Sequence, residues 1–485
     1  MGNEAIALGA IAAGVNLVSG YPGTPSSEVL ETVAKRRTNN IYVEWSVNEK
    51  SALEVAAGAS YTGARSLVTM KQVGLNVASD PLMSLEYVGI KGGMVVLVAD
   101  DPGPISSQTE QDTRHFAAFS KLPCFDPTSA QEAYEMIQEA FEYSEAYGTP
   151  VFFRPTTRVC HGYASIEIKD MNEYTLHKAE GFVKDSNRWV IFPRLSYQNH
   201  KKIEARNAAL SEVFSNYPRN KIYPAGEKNR TSRKGIAASG ISFTYALETL
   251  EALGMTRLLK VATPHPFPEK LAVEFLKGLD EVLCIEELDP VLERELTYLC
   301  GKYHLPVKIY GKLTGHTANA GENTRDSVYQ NISDYLGISA CRTETVSACE
   351  DTSSVVPPTL PIRPPVLCAG CPHRASFYAV KAAMKERKTI FCGDIGCYTL
   401  GNAMPLDMVD TCLCMGAGLG IAQGIGHIEP DTSCFAFVGD STFFASAITG
   451  VINAVYNQAN MTLIILDNST TAMTGHQRTP VPDVL

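Results

Sequence analysis

Short apolar runs recur along the chain, each closed by a glycine-rich or polar loop and followed by a longer stretch of helical character. Val95-Val96-Leu97-Val98 leads into the loop Asp100 to Pro104, and Val151-Phe152-Phe153 is a second such run. Gly235-Ile236-Ala237-Ala238-Ser239-Gly240, Val282-Leu283-Cys284-Ile285 and Leu463-Ile464-Ile465-Leu466 repeat the pattern, the last ending in Asp467-Asn468. Runs of strand length alternating with helices predict parallel sheets covered on both faces. Ligands of such sheets bind beyond the carboxyl ends of the strands. The predicted fold class is α/β, in three doubly wound units. The first spans 1–190. The second spans 191–345 and opens with a basic, polar linker passage. A Ser/Thr/Pro-rich connector covers 346–365, where Pro357-Pro358 and Pro364-Pro365 favour an extended chain. The third unit covers 366–485. Its last stretch, Arg478 to Leu485, is loop-like, so the unit reads as incomplete at its C-terminus.

Composition narrows the classes. The chain has 485 residues, 45% hydrophobic and 19% charged, with a net charge of −10. That composition supports several packed domains rather than disorder. The acidic balance argues against nucleic acid as a partner. The basic stretch Arg219 to Lys234 holds one aromatic, Tyr223, and reads as a solvated linker or loop. No run of 18 apolar residues predicts a membrane span. Met1 to Gly20 carries Glu4 and no basic flank, so it reads as a buried opening of strand and helix rather than a signal peptide. Thirteen cysteines, an odd number spread through apolar segments, point to a reducing cytoplasm.

The strongest chemical signal is Gly439-Asp440-Ser441 followed, 28 positions after Asp440, by Asn468. One strand delivers Asp440, a helix from Ala445 to Gln458 returns the chain, and a second strand, Thr462 to Leu466, delivers Asn468 beside it. Mg²⁺ takes oxygen ligands in an octahedron and shares them with phosphate and water. Asp440, the Asn468 side-chain oxygen and the carbonyl near Thr470 can supply the protein's share, and small Gly439 and Ser441 permit close backbone approach. Two ordinary sheet-end loops would look the same. Gly416-Ala417-Gly418-Leu419-Gly420 upstream adds a helix packed tightly on a sheet, itself a weak sign.

Cys368-x-x-Cys371 raises metal or redox chemistry. A zinc site would need Cys412 and Cys414 as well, and an iron–sulfur site would need a dense cysteine run that this sequence lacks. The preferred reading is that Cys368, Cys371 and Cys397 pack as small apolar residues or line a cofactor pocket.

Four separated motifs resemble the 2-oxoacid:ferredoxin oxidoreductases, a thiamine-diphosphate-dependent family, and within it the large subunits that act on indolepyruvate. They are Gly20-Tyr21-Pro22-Gly23-Thr24-Pro25-Ser26-Ser27-Glu28, Cys368-Ala369-Gly370-Cys371-Pro372-His373-Arg374, Gly393-Asp394-Ile395-Gly396-Cys397-Tyr398 and Thr471-Ala472-Met473-Thr474-Gly475-His476-Gln477. The resemblance covers nearly the whole chain. It implies a pyrimidine-binding domain, a transketolase C-terminal-like domain and a diphosphate-binding domain, in that order.

The resemblance also implies roles. Thiamine chemistry needs a carboxylate against the aminopyrimidine ring nitrogen, and Glu49 lies where the family carries it. Alone, Glu49 is a helix N-terminal carboxylate favoured by the dipole, with Glu44 and Glu54 as competitors. Thr24, by itself an N-cap with Pro25 at the first helical position, would reach the substrate's oxygens. Lys71 and Arg114 are cations able to pair with a 2-oxoacid carboxylate, or ordinary ion-pair partners. Asp394, Gly396 and Cys397 join Gly439, Asp440, Ser441, Asn468 and Thr470 as cofactor-binding positions, with Asp440, Asn468 and Thr470 as metal ligands.

The implied reaction is oxidative decarboxylation of an aryl 2-oxoacid with thiamine diphosphate, Mg²⁺, coenzyme A and ferredoxin, in company with a smaller beta subunit. The family's [4Fe-4S] cluster motifs are absent from this sequence, which reads as a chain truncated before them. Rival readings are another thiamine-dependent 2-oxoacid oxidoreductase or decarboxylase, and a non-catalytic subunit with a vestigial site.

Overall fold

The computed structural model describes every residue except 38–39, 171–172, 230, 339–359, 362 and 481–485. Most of the expected connector 346–365 therefore lies outside the described residues. The chain divides into two compact units, Met1–Ala340 and Cys341–Leu485. The first holds two sheets and the second holds the third main sheet.

The first sheet contains β1 (Leu17–Gly20), β2 (Tyr42–Trp45), β3 (Ser66–Lys71), β4 (Met94–Ala99), β5 (Cys124–Phe125) and β6 (Val151–Phe153). Their order is β2-β1-β3-β4-β6-β5, with every pair parallel. Parallel strands are covered on both faces, which is why β4 is apolar throughout and all six of its residues are buried. Alternate residues then feed two cores. Val95 and Leu97 face a cluster with Ile6, Val29 and Phe141, while Val96 and Val98 face one with Leu53, Leu75 and Leu82.

The second sheet contains β7 (Lys221–Tyr223), β8 (Lys234–Ser239), β9 (Arg257–Val261), β10 (Glu281–Ile285) and β11 (Lys308–Tyr310), in the order β11-β10-β8-β9-β7. β7 alone runs antiparallel, against β9. The basic stretch Arg219 to Lys234 is thus not simply a solvated loop. It supplies an edge strand, and Arg219 pairs with Glu135 at 3.1 Å and Glu139 at 2.5 Å on the helix Ala130–Tyr147. Charge composition suggested exposure, but acidic partners far away in sequence took up the cation. The passage before it is the long helix Pro193–Ser215.

At the carboxyl ends of both sheets lies a buried ionic network. Arg154, just past β6, donates to Asp100 at 2.6 Å, just past β4. Arg114 bridges to the second sheet through Glu286, just past β10, at 2.7 Å. Isolated charges cannot stay ionised there, so each is held by opposite charge and by hydrogen bonds.

The second unit carries β12 (Thr389–Cys392), β13 (Ser433–Gly439) and β14 (Thr462–Leu466) in that order, all parallel. Apolar clusters around Phe377 and Phe437 on one face and Leu419 and Val438 on the other make it doubly wound as well. Among the described residues no helix is long and apolar enough to cross a membrane.

Candidate functional site

In the first unit the loop after β1, the end of β3 and the start of the helix Glu49–Tyr61 converge. Asn48 caps that helix, its Oδ1 accepting from the Ser51 amide at 2.8 Å. Glu49 keeps some solvent contact, but its carboxyl packs onto Gly74, in the first turn of the helix Gln72–Val88. A Cβ on Gly74 would lie 2.7 Å from Glu49 Cγ and 2.8 Å from Cδ. Burial raises the Glu49 carboxyl to about 7, outweighing its backbone hydrogen bond and the nearby Lys71 charge. The competitors differ. Glu54 is spent on Lys50 at 2.7 Å at the surface, and Glu44 accepts from Tyr42 and Ser46, both at 2.7 Å.

Lys71 ends β3 and lies against Gly23, where a Cβ would sit 3.1 Å from its Cγ. Its Nζ donates to the Ser106 carbonyl at 3.0 Å. Burial lowers its affinity for a proton, with Asp101 and Glu49 opposing. Thr24 is next to Gly23, so the structure brings Thr24, Lys71 and Glu49 into one neighbourhood. Thr24 is not the helix cap. The helix begins at Ser27 after Ser26, and the Thr24–Pro25 peptide is cis. Local hydrogen bonds override the cap signal: Gly23 N donates to Ser27 Oγ at 2.9 Å and Ser26 Oγ donates to Gly23 O at 2.8 Å.

Arg114 does not join this group. It is 1% exposed, with Nε and Nη2 on Asp112, Nη1 on Glu286 and Nη2 also on the carbonyls of Glu287 and Asp289. Its donors are committed to protein oxygens, which makes it a structural tie between the two sheets.

Gly74 was missed at the sequence level, although a glycine in the first turn of a helix is a sign of close approach. Gly74→Ala is expected to push the Glu49 carboxyl aside and lower turnover roughly tenfold to a hundredfold, the scale of a small misplacement of a reacting group. Steady-state kinetics would check it, and an unchanged rate would exclude the packing role.

In the second unit Asp394 follows β12 and is fully buried. Its Oδ1 accepts from the amides of Ile395 at 2.9 Å and Gly416 at 3.0 Å, and its Oδ2 from Gly439 at 3.1 Å. Asp394 therefore ties three loops together. Gly396, at φ +129, turns the chain back so that Tyr398 reaches Gly439. Gly418 packs under the same strand end, where a Cβ would lie 2.8 Å from the Gly393 carbonyl.

β13 and β14 end side by side, with Gly439 opposite Leu466. Asp440 and the Asp467-Asn468 turn leave from these adjacent ends. The return helix starts at Asp440 itself, earlier than Ala445, and passes through a π-turn at Phe443–Ala447 before Ile448–Tyr456. Such turns recur at functional sites. Asp440 is 2% exposed. Its Oδ2 accepts from Thr479 Oγ1 at 3.1 Å, and its Oδ1 is buried with no hydrogen-bond partner. Burial raises its proton affinity. An orphaned carboxylate oxygen at a strand end suits a cation, so these residues fit Mg²⁺. Asn468 Oδ1 accepts from the Thr470 amide at 3.2 Å, which holds that turn against the Thr470–Thr471 and Gln477–Arg478 hairpin. Ser441, next on the helix, sits at the same strand end.

Cys371 and Cys397 pack against the apolar cluster of Phe377 and Tyr398, while Cys368, Cys412 and Cys414 are exposed. Burial, then the neighbouring Cys371 and Cys368, raise the Cys397 thiol. Among the described residues no group of three or more His, Cys, Asp or Glu side chains is arranged to hold a metal ion.

Residues 8–230 match the family model described as pyruvate flavodoxin/ferredoxin oxidoreductase, thiamine diphosphate-binding, and residues 394–483 match that of the thiamine pyrophosphate enzyme C-terminal binding domain. The indolepyruvate oxidoreductase subunit IorA of Methanothermobacter thermautotrophicus is 43% identical, over 99% of this chain and 76% of its own length. The Archaeoglobus fulgidus subunit of the same name is 39% identical with the same coverage. This chain thus spans about three quarters of these relatives. A 2-oxoglutarate:ferredoxin oxidoreductase from Magnetococcus marinus shares the fold, with TM-score 0.51, 17% identity, and coverage of 69% of this chain and 64% of that one. The two domain matches account for a thiamine diphosphate cofactor, and the curated relatives account for an oxidoreductase acting on a 2-oxoacid. By those relatives, over almost its whole length, the chain belongs to the indolepyruvate oxidoreductase IorA family of thiamine-diphosphate-dependent 2-oxoacid oxidoreductases.

Proposed function

We propose that this chain catalyses the oxidative decarboxylation of an aryl 2-oxoacid of the indolepyruvate type, with coenzyme A as acyl acceptor and ferredoxin as electron acceptor, alongside a smaller beta subunit. The carbon dioxide leaves, the acyl group forms a thioester with coenzyme A, and two electrons pass one at a time to ferredoxin. The names of the relatives support the substrate class. The observation that carries the chemistry is the Glu49 carboxyl, packed on Gly74 and raised to about 7 by burial. A carboxyl near neutrality can hold its proton against a ring nitrogen or release it, which a surface glutamate cannot do at pH 7.

Thiamine diphosphate, when bound, supplies the electron sink that lets the carboxylate carbon leave. Glu49 is assigned to its aminopyrimidine. Thr24 and Lys71 are assigned to the substrate's carboxylate and keto oxygens, Lys71 as the cation and Thr24 as a hydroxyl donor. Asp440, the Asn468 side-chain oxygen and the Thr470 carbonyl would hold Mg²⁺ on the diphosphate. Asp394 and Gly396 shape the loops around it, and Cys397 lines its wall. A reducing cytoplasm suits the many free thiols and a ferredoxin partner.

An anaerobic assay with indolepyruvate, coenzyme A and a viologen dye tests the reading. Dye reduction dependent on coenzyme A is expected, and aldehyde release without dye reduction would rule out the oxidative reaction. Asp440→Ala is expected to abolish Mg²⁺-dependent binding of thiamine diphosphate in calorimetry. Undiminished binding would remove Asp440 from the metal site.

A further inference from the structure

Thr24 sits in an enclosed stretch of chain. Of residues 18–27 it alone is not buried. Pro25, the next residue, is buried, and its carbonyl accepts from Asn3 Nδ2 at 2.7 Å. The same amide nitrogen donates to Glu28 Oε2 at 2.8 Å. Asn3 lies on the helix Gly2–Ala12 and is 0% exposed. Both N–H bonds of its amide are therefore spent on one short segment, where the Thr24 loop turns into the helix Ser27–Arg36.

Asn3 is itself held in place. Gly2 N donates to the Gly162 carbonyl at 3.0 Å, and a Cβ on Gly2 would clash with the Val159 carbonyl oxygen. The start of the Asn3 helix is thus pressed onto the helix Thr157–His161. From there His161 Nε2 comes within 3.5 Å of the same Glu28 oxygen that Asn3 holds. Packing alone asks for an apolar side chain at position 3, as Ile6, Ala7 and Ala10 supply on the following turns of the helix. A buried amide does what they cannot. It satisfies a buried backbone carbonyl and a carboxylate together, and both bonds are directional. The Pro25 peptide is fixed by them, and the adjoining Thr24 with it.

We propose that Asn3 is a positioning residue for the reaction, holding the Pro25 carbonyl and Glu28 so that the Thr24 hydroxyl meets the 2-oxoacid. The assignment rests on the reading of Thr24 as a substrate donor and adds to it a residue from another helix.

A double-mutant cycle in the complete oxidoreductase, assayed with indolepyruvate, coenzyme A and a viologen dye, tests it. Asn3→Ala is expected to lower kcat/KM for indolepyruvate roughly tenfold to a hundredfold, the scale of a small misplacement of a contacting group. Calorimetric affinity for thiamine diphosphate should be unchanged. Thr24→Val removes the hydroxyl and should cost a similar factor. The two substitutions together should cost little more than Thr24→Val alone, because Asn3 acts through that hydroxyl. If Asn3→Ala does not fold, Asn3→Ser, too short to reach both acceptors, carries the same expectations. A merely structural Asn3 would cost the same factor with and without the Thr24 hydroxyl. That result would overturn the assignment and leave Thr24 a substrate donor. Unchanged kcat/KM in a folded Asn3 variant would also overturn it, as would a parallel loss of thiamine diphosphate affinity. Unchanged kcat/KM in Thr24→Val would remove Thr24 from the substrate, and the role of Asn3 with it.

Discussion

Glu49→Gln is expected to bind thiamine diphosphate as the unchanged protein does, and to lose two to four orders of magnitude of turnover, the usual contribution of a positioned acid–base group. Gln has nearly the same shape and keeps the contact with Gly74, but it cannot exchange a proton. The same substitution carries a stability signature. The folded carboxyl protonates at about 7, against an ordinary 4.5, so ionising it inside the protein is unfavourable. That cost is absent below about pH 4.5, grows between there and pH 7, and is complete above. At about 1.4 kcal/mol per pH unit it reaches at most about 3.5 kcal/mol, less where solvent reaches the carboxyl. The Gln variant should therefore be the more stable protein at pH 8 and equal to the unchanged one near pH 4.5. Urea unfolding at the two pH values reads this directly. Equal stabilities at both would mean that Glu49 is not buried as described, and full turnover by the Gln variant would move the activating carboxylate elsewhere.

Arg114→Met is expected to destabilise the first unit by about 3–5 kcal/mol, the cost of leaving buried partners of a broken ion pair uncompensated. The guanidinium holds the Asp112 carboxyl well below the usual range, with Arg154 assisting against the cost of burial. Without Arg114, Asp112 and Glu286 would face each other's neighbourhood as buried anions with no bridging cation. Denaturant unfolding should show an earlier transition. Arg114→Lys should recover little, because one ammonium cannot reproduce the fork that reaches Asp112, Glu286 and two carbonyls. A substrate role makes the opposite forecast: a raised KM for the 2-oxoacid with stability unchanged. That result would return Arg114 to the cleft.

Neighbouring cations thus have different fates for a physical reason. Lys71 ends a strand on the side where the loop after β1 and the helix Glu49–Tyr61 converge, and its ammonium donates to a backbone carbonyl. Arg114 opens the short helix Thr113–Ser120, whose first turn is pressed against the second sheet. Lys71 follows the strand residues 66–70 and Arg114 the polar stretch Ser106 to Asp112, and neither local pattern says which cation is enclosed by carboxylates.

By itself the sequence determined the class of architecture and the framework of the site. Burial on both faces of a parallel strand requires an unbroken apolar run, and that requirement is written locally, as in Met94–Ala99. The strand–helix–strand spacing between Asp440 and Asn468 likewise placed two loops at adjacent strand ends, because parallel pairing leaves little freedom once Gly439 faces Leu466. The tertiary structure alone decided which charged groups are buried and by what. Glu44, Glu49 and Glu54 lie within one short segment, and only Glu49 meets Gly74 on another helix. Arg114 and Asp394 proved to be ties, and His373 carries a buried ring nitrogen without a hydrogen-bond partner. Periodicity records where a side chain points relative to its own element. Desolvation and hydrogen-bond partners are set by neighbours tens to hundreds of residues away, so the chemistry of a carboxylate, a guanidinium or an imidazole is settled only when the chain has folded.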